Sequence, residues 1–405
     1  MTYKETKHII PFVFLSIMLL FYANFNMMAK AEEEDLDIGE YIMDHITDDY
    51  GWHITTFNEH HITIPLPVML FDGGEFVVFS SGKFHQGQQA YKGYALGFTE
   101  DTDGSIVKLG GNFADYTGEL DFKEACPPID HVCKYDVSIT KNVCALLISI
   151  ILLCWIFLSV AKKYKEGPLK APKGMQSLLE PLILFIRDEV AVPSIGEEKY
   201  QKYFPYLLTL FFFILVNNLM GLIPIFPGGA NLTGNITVTA VLAIITFFIT
   251  NISGNKHYWK DIFNSPGVPW WLKVPIPLMP LVEFIGVFTK PFVLMIRLFA
   301  NITAGHIIVL GFLSLIFIFG AMSPVIGYAV SPFSIFFYLF MGMLELLVAF
   351  IQAYVFTLLS AIYIGMAIEE PHHEKKLTTE KLRTENNSTD TLPRPSATPS
   401  KRRGI

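Results

Sequence analysis

Arg297 stands inside "KPFVLMIRLFANITAGHIIVLGF", a stretch from Lys290 to Phe312 that is otherwise almost wholly apolar. An arginine cannot shed its charge, because its pKa lies above about 12. Inside a bilayer such a group is costly and faces a cavity or a partner. The residues around it are arranged rather than scattered. Glu283, Lys290 and Arg297 follow at intervals of seven, and seven residues advance an α-helix by about 700°, a net drift of about −20°. Asn301 lies four beyond Arg297, about 40° round. The four side chains share one stripe provided Pro291 does not break the helix. His306 falls about 180° from Arg297 and should face a different compartment. In the last apolar segment Glu345 and Gln352 share a face, with Ala349 leaving room between them, and Tyr363 continues that stripe.

These residue types suit the movement of an ion. His306 and Glu345 can both change protonation near neutral pH when buried, and titratable, water-accessible groups are what a proton relay needs. The fixed charge of Arg297 suits repelling a cation or pairing transiently with a mobile carboxylate. A static reading stays open beside this one: Glu283 with Lys290 as a charge pair at a helix end, and His306 with Glu345 as a plain hydrogen bond.

The elements that must carry these residues are membrane helices. The chain has 405 residues, 52% hydrophobic and 17% charged, against about 25% charged in a typical soluble domain. Its apolar runs reach the roughly 20 residues needed to cross a bilayer. Spans are expected at Asn142–Ala161, Phe204–Ile225 and Ile236–Ser253, followed by two overlong segments, Pro280–Met322 and Pro332–Ile368. As helices the last two would extend roughly 60 and 55 Å, about twice the hydrocarbon thickness. Strong tilt, or a hairpin lying partly in the membrane plane, follows. Between the first two spans "PKGMQSLLEPLILFIRDEVAVP" is too polar, and too interrupted by Pro181, to cross; it reads as an interfacial or re-entrant helix. The fold class is an all-α polytopic membrane protein with about five mature membrane helices and a small mixed α/β or β-rich exported segment.

The formal charge of −7 is unevenly spread: residues 32–141 hold about 21 acidic and about 6 basic side chains, and the remainder is net basic. Acidic material in one block and basic material in short loops suggests opposite sides of a membrane. Lys4 and Lys7 precede the apolar run Ile9–Phe25, and Ala29-Lys30-Ala31 resembles a cleavage site, so residues 1–31 are expected to be a signal peptide. An uncleaved first helix would export the following block equally well. Residues 32–140 are then an exported acidic segment, 141–368 a membrane domain, and 369–405 a disordered cytoplasmic tail. "ITIPLPVMLFDGGEFVVFSS" reads as two short β runs around Asp72-Gly73-Gly74. Cys126 and Cys133 bracket "CPPIDHVC" in this oxidising setting, as a disulfide or as two free thiols. His53, His60, His61 and His85 match no metal spacing and read as solvated surface groups. The Asn-x-Ser/Thr sequons at Asn231, Asn235, Asn251 and Asn301 fall in membrane segments and carry no weight.

"IRLFANITAGHIIVL" followed by "LELLVAFIQAYVFTLLSAIY", with "VNNLMGLIP" at Val216–Pro224, closely resembles subunit a of the membrane Fo sector of F-type ATP synthases. The resemblance covers roughly Asn142–Ile368; the exported block lies outside it and is long for the family. It implies a bacterial inner-membrane stator, non-catalytic by itself, with its mature N-terminus outside and its C-terminus in the cytoplasm. Expected partners are a ring of c subunits, the b-subunit peripheral stalk, other ATP synthase subunits and the lipid bilayer, with no nucleic acid and no cofactor. Arg297 matches the family's essential arginine, which faces the ring carboxylate and separates two aqueous half-channels, and Gln352 the glutamine beside it. Asn301 and Asn218 match asparagines of the polar pathway. His306 and Glu345 match the outer half-channel pair, and Glu283 the acid near the inner outlet. Some family members carry the acid where His306 stands and the histidine where Glu345 stands, so the pair is exchanged here, which leaves open the group that receives the ion first. The implied ion is a proton, although Na+ could use the same path. A secondary transporter of a small solute would also place charges at mid-membrane, but the chain has no internal repeats; crosslinks from the Glu345–Tyr363 stripe to a ring subunit would separate the two.

Overall fold

A computed structural model describes residues 47–369, apart from 58–59, 86, 100–101, 103, 114, 121–126, 167–173, 224–227 and 264–277. The expected signal peptide and nearly all of the expected tail lie outside the described residues. So does Cys126, and with it the pairing to Cys133.

The described N-terminal part is β-rich. It comprises β1 (Gly51–Phe57), β2 (His60–Pro65), β3 (Pro67–Asp72), β4 (Glu75–Ser80), β5 (Gln89–Ala90), β6 (Tyr94–Leu96), β7 (Ile106–Leu109), β8 (Gly118–Glu119), β9 (Ile129–Val132) and β10 (Tyr135–Asp136). These pair as β1-β2, β10-β3-β4, β5-β8 and β6-β7-β9, all antiparallel. The two runs expected around Asp72-Gly73-Gly74 are β3 and β4. Asp72 pairs with Glu75 across a two-residue turn, whose glycines take φ of 59° and 91°, the left-handed pair that a tight hairpin turn requires. Alternation along β3 buries Val68 and Leu70 against Phe79, Phe84, Tyr94 and Ile106. His85 is exposed, and the side chains of His53, His60 and His61 lie outside the described ones. Among the described residues no group of His, Cys, Asp or Glu could hold a metal ion.

Asp72 anchors this small domain. Its carboxylate accepts from Lys108 Nζ at 2.8 Å and from Tyr94 Oη at 3.1 Å, and its other oxygen lies 2.8 Å from His131 Nε2. The Lys108 ammonium above all holds the Asp72 carboxyl at about 2, below its usual 3.8, while Asp72 raises His131. A depressed carboxyl stabilises the fold above its unfolded value near 4 and loses that contribution as pH falls through about 2. The raised His131 acts with the opposite sign, contributing at low pH and losing its contribution as pH rises past its folded value. Asp72→Asn is expected to cost about 1–3 kcal/mol, the range for stranding a paired polar group. Resistance of this β-rich domain to protease would report the loss, and the difference from wild type should shrink below about pH 4.

The helical part contains α1 (Lys141–Glu166), α2 (Met175–Phe185), a π turn (Ile186–Ala191), α3 (Val192–Ile195), α4 (Tyr200–Leu222), α5 (Ile236–Ser253), α6 (Lys256–Phe263), α7 (Leu278–Met322) and α8 (Pro324–Ile368). Five of them, α1, α4, α5, α7 and α8, are long and apolar enough to cross a membrane. Pro291 sits inside α7 without ending it, which preserves the stripe. The last helix begins earlier than expected. Pro332 was expected to open it, but Pro324 does so, at a first-turn position where its missing N–H costs nothing. The "PKGMQ…VAVP" segment is helical through α2, the π turn and α3, with Pro181 accommodated inside α2.

The helices are held at their ends and along one shared core. Asn235 caps α5 by accepting from Thr237 N at 2.9 Å. At the far end of α8 the Ile368 carbonyl accepts from Asn255 Nδ2 at 2.9 Å and from Lys199 Nζ at 3.3 Å, satisfying an acceptor that a helix C-terminus leaves open. Leu207, Phe211 and Ile214 of α4, Leu294, Leu298 and Ile302 of α7, and Ala353, Phe356 and Ile364 of α8 form the core. α7 and α8 run antiparallel, with Phe312 and Phe337 in ring contact at 5.3 Å. Small residues along α8 let its backbone approach α4, the mode of association expected where lipid gives no hydrophobic drive between helices.

Candidate ion-conducting site

The stripe read from the sequence lies on α7 in two environments. Arg297 and Asn301 are exposed at the surface of the bundle, whereas Glu283 and Lys290 are half-buried. The drift of about −20° per seven residues accounts for this gradual turn toward the neighbouring helices. Arg297 has no ion-pair partner among the described residues. Ala300 and Ala304, on the same face, are also exposed, so two small side chains flank the guanidinium on the open side. No ion pair joins Glu283 to Lys290 among the described residues. Lys290 Nζ instead lies over the Tyr363 ring, 5.6 Å from its centre, a cation–π contact.

His306 is on the other side of α7, as the helical arithmetic predicts. Its Nδ1 lies 2.7 Å from Glu345 Oε1 on α8. This is a close polar contact rather than an aligned hydrogen bond, since that oxygen is buried and receives no well-directed donor among the described residues. Gly305 makes the approach feasible: a Cβ there would stand 3.1 Å from the same oxygen. Glu345 is 6% exposed along its side chain and His306 16%. The Nε2 of His306 points to the start of a loop, where a Cβ on Gly221 would meet Ala230 O at 3.5 Å and Nε2 at 3.6 Å.

On α8, Glu345, Ala349 and Gln352 are buried. The Glu345–Gln352 face therefore turns into the bundle, and it is α7's Arg297 face that stays open. Asn218 of α4 meets this buried face, donating from Nδ2 to Ala349 O at 3.0 Å. Its Oδ1 accepts from Thr233 Oγ1 at 2.7 Å. Thr303 Oγ1 of α7 donates to Gly234 O at 3.4 Å. Asn231 holds the turn by accepting from Gly234 N at 2.9 Å, while its own Nδ2 is buried and has no hydrogen-bond partner among the described residues.

The residues brought together are thus His306 with Glu345, Asn218 with the Gln352 face, and Lys290 with Tyr363. Arg297 and Asn301 stand apart from these on the open side. Sequence reasoning missed Gly221, Asn231, Thr233 and Gly305. The polar run "NLTGN" between two apolar spans was a usable signal for the middle pair, but its sequon spelling obscured it.

A second polar place lies between α5, α6, α7 and α8. Thr246, Thr250, Asn251, Tyr258, Lys290 and Tyr363 line a cavity of about 10 Å³ there, the size of a single water position. Thr250 Oγ1 and Asn251 Oδ1 are buried beside it without hydrogen-bond partners among the described residues.

The family described as ATP synthase A chain matches residues 143–365, and a domain of unknown function matches residues 41–131. The chain is 45% identical to ATP synthase subunit a of Chloroherpeton thalassium over 246 residues, covering 59% of this chain and 69% of the relative. It is 47% identical over 253 residues to ATP synthase subunit a 2 of Chlorobaculum tepidum, covering 61% and 68%. To the Myxococcus xanthus subunit a it is 42% identical over 244 residues, covering 59% and 75%. With more than half its length matched by the family, the chain belongs to the ATP synthase subunit a family.

Proposed function

We propose that this chain is the stator channel of the ATP synthase membrane sector, passing protons to and from the carboxylates of a rotating c ring through two offset aqueous half-channels. It is a non-catalytic subunit that couples proton flow to ATP synthesis carried out elsewhere in the complex. One observation carries this reading. A permanent charge, Arg297, stands exposed on α7 with no ion-pair partner among the described residues, while the titratable pair His306–Glu345 is buried on the opposite side.

On the outer side, a proton reaches His306 at Nε2, beside Gly221 and Ala230. It leaves from Nδ1 to Glu345, so His306 precedes Glu345 in the relay. From Glu345 it passes along the Asn218–Gln352 side to a ring carboxylate, which becomes neutral and can enter the lipid. On the inner side, the carboxylate returning from lipid approaches Arg297, whose positive charge favours its ionised form and releases the proton. That proton leaves past Lys290, Tyr363 and the small polar cavity to Glu283. The same charge keeps a proton from crossing directly between the two routes, since a cation is repelled at short range in low dielectric. Asn301, on the exposed face, would hydrate the arginine between encounters.

α7 and α8 extend at 1.5 Å per residue to about twice the hydrocarbon thickness. They therefore lie strongly tilted as a hairpin, which presents a long edge to the curved wall of a ring. The exported block 32–140 lies outside the cell, preceded by a cleaved segment over 1–31. Residues 141–368 form the channel in the inner membrane, and 369–405 form a cytoplasmic tail. The b-subunit stalk holds the assembly against rotation.

Cysteines at Ala300 and Ala304, on the open face of α7, are expected to crosslink to a ring subunit in the assembled complex. A cysteine at Ala349, which is 0% exposed, is expected not to. An assembled complex in which the α7 positions fail to crosslink and Ala349 succeeds would remove this orientation and the reading built on it.

A further inference from the structure

The exported β-rich domain meets the channel at the start of α1 and, through Trp52, at the loop beside His306. Trp52 of β1 is 3% exposed and packs with Ala145 of α1 and Ala230 of the loop after α4, flanked by Ile64, Cys144 and Ile148. Ala230 opens the run in which Asn231, Thr233 and Gly234 make the contacts that hold Asn218 and Thr303. Its carbonyl and the Nε2 of His306 border the same space above Gly221.

The domain cannot rock freely about this contact, because it is fastened to α1 as well. Asp48 accepts from Asn142 N at 2.9 Å and from Thr140 Oγ1 at 2.8 Å, placing a carboxylate at the positive end of α1. Lys141 N donates to Asp49 O at 2.8 Å and Lys141 Nζ to Thr47 O at 3.0 Å. These bonds make a rigid root. From it, β1 carries Trp52 over the loop as a strut.

We infer that the exported domain is a working part of the outer half-channel: Trp52 is a positioning residue that clamps Ala230 and thereby sets the loop that flanks His306 Nε2. This rests on the proposed channel reading and extends it to a domain outside the residues that the ATP synthase A chain family matches. The partner of the strut is this chain's own loop, not a separate ligand. The physical reason is geometric. A relay tolerates little displacement, and a misplacement of about 1 Å can cost up to about 100-fold in a transfer step, so a side chain that bears on Ala230 bears on the relay.

The test uses the complete ATP synthase in inverted vesicles, with ATP-driven proton pumping measured per assembled complex. Trp52→Ala should slow pumping roughly tenfold, part of the range a misplacement allows, while ATP hydrolysis by the released catalytic sector stays at the wild-type rate. Trp52→Phe should restore most of the pumping, because a planar ring can still bear on Ala230. Ala230→Val, which disturbs the same contact from the loop side, should slow pumping as well and serves if Trp52→Ala does not assemble. Wild-type pumping per complex in both Trp52→Ala and Ala230→Val would overturn the inference, as would a lower yield of complexes that each pump normally. Arg297→Ala is run in parallel. If it too pumps normally, the channel reading itself fails; if it is inactive while the Trp52 and Ala230 variants are normal, only the strut fails.

Discussion

Arg297→Ala, in the assembled complex in sealed vesicles, is expected to reduce ATP-driven proton pumping by about 100-fold or more, the scale on which removing one preorganised charge acts. Two effects add. The returning ring carboxylate loses the charge that favours its ionised form, so release of its proton slows. The barrier between the outer and inner routes also disappears, so passive proton flow through vesicles stripped of the catalytic sector should persist or rise. Arg297→Lys is expected to rescue only part of the function, since an ammonium lacks the planar, spread charge of a guanidinium and can deprotonate in a dry site. An exposed Arg297 without an ion-pair partner among the described residues makes the outcome decisive. A charge that merely held helices together would be buried against an acid, and its removal would reduce assembly rather than turnover. Coupled pumping at the wild-type rate would sink the reading.

The spans were legible because crossing a membrane is a one-dimensional requirement on length and apolarity. Ile236–Ser253 appears with the expected limits, and α1, α4 and α7 differ by a few residues at their ends. The start of α8 was misjudged because a proline marks either the first turn or an interruption, and only packing tells Pro324 from Pro332. Opposition of His306 and Arg297 followed from helix geometry alone. The inward turn of Glu345 and Gln352 did not. α8 is apolar nearly all round, so its periodicity carries no sign of which side faces protein and which faces lipid. That choice is made by contacts from α4 and α7, such as Asn218 to Ala349 and His306 to Glu345, which join residues far apart in the sequence. The Asn231–Gly234 loop was illegible for a related reason. Its polar groups gain meaning only when the loop folds back between α4 and α7, under Trp52.

Exchanging the buried pair gives the second large effect. His306→Ala and Glu345→Gln are each expected to slow proton pumping by about 100-fold or more, the lower part of the range for losing a positioned proton donor or acceptor. Each leaves its partner able to hold a proton but with nowhere close to send it. The double variant His306→Glu with Glu345→His should pump faster than either single variant, and the non-additivity measures the coupling between two groups in contact. Space supports the exchange. Gly305 presents no side chain to position 345, leaving room for an imidazole, and the 2.7 Å separation on antiparallel helices lets a carboxylate on α7 reach across. The geometry also sets a limit on the rescue. In the native order the imidazole uses two different nitrogens, Nε2 toward the Ala230 loop and Nδ1 toward Glu345, so it joins two sites that a carboxylate at 306 would have to serve by rotating. Recovery should therefore be partial, and it should be slower in the step that draws protons from outside than in the step that delivers them to the ring. A double variant as inactive as the singles would mean that the order of the two groups matters as much as their proximity.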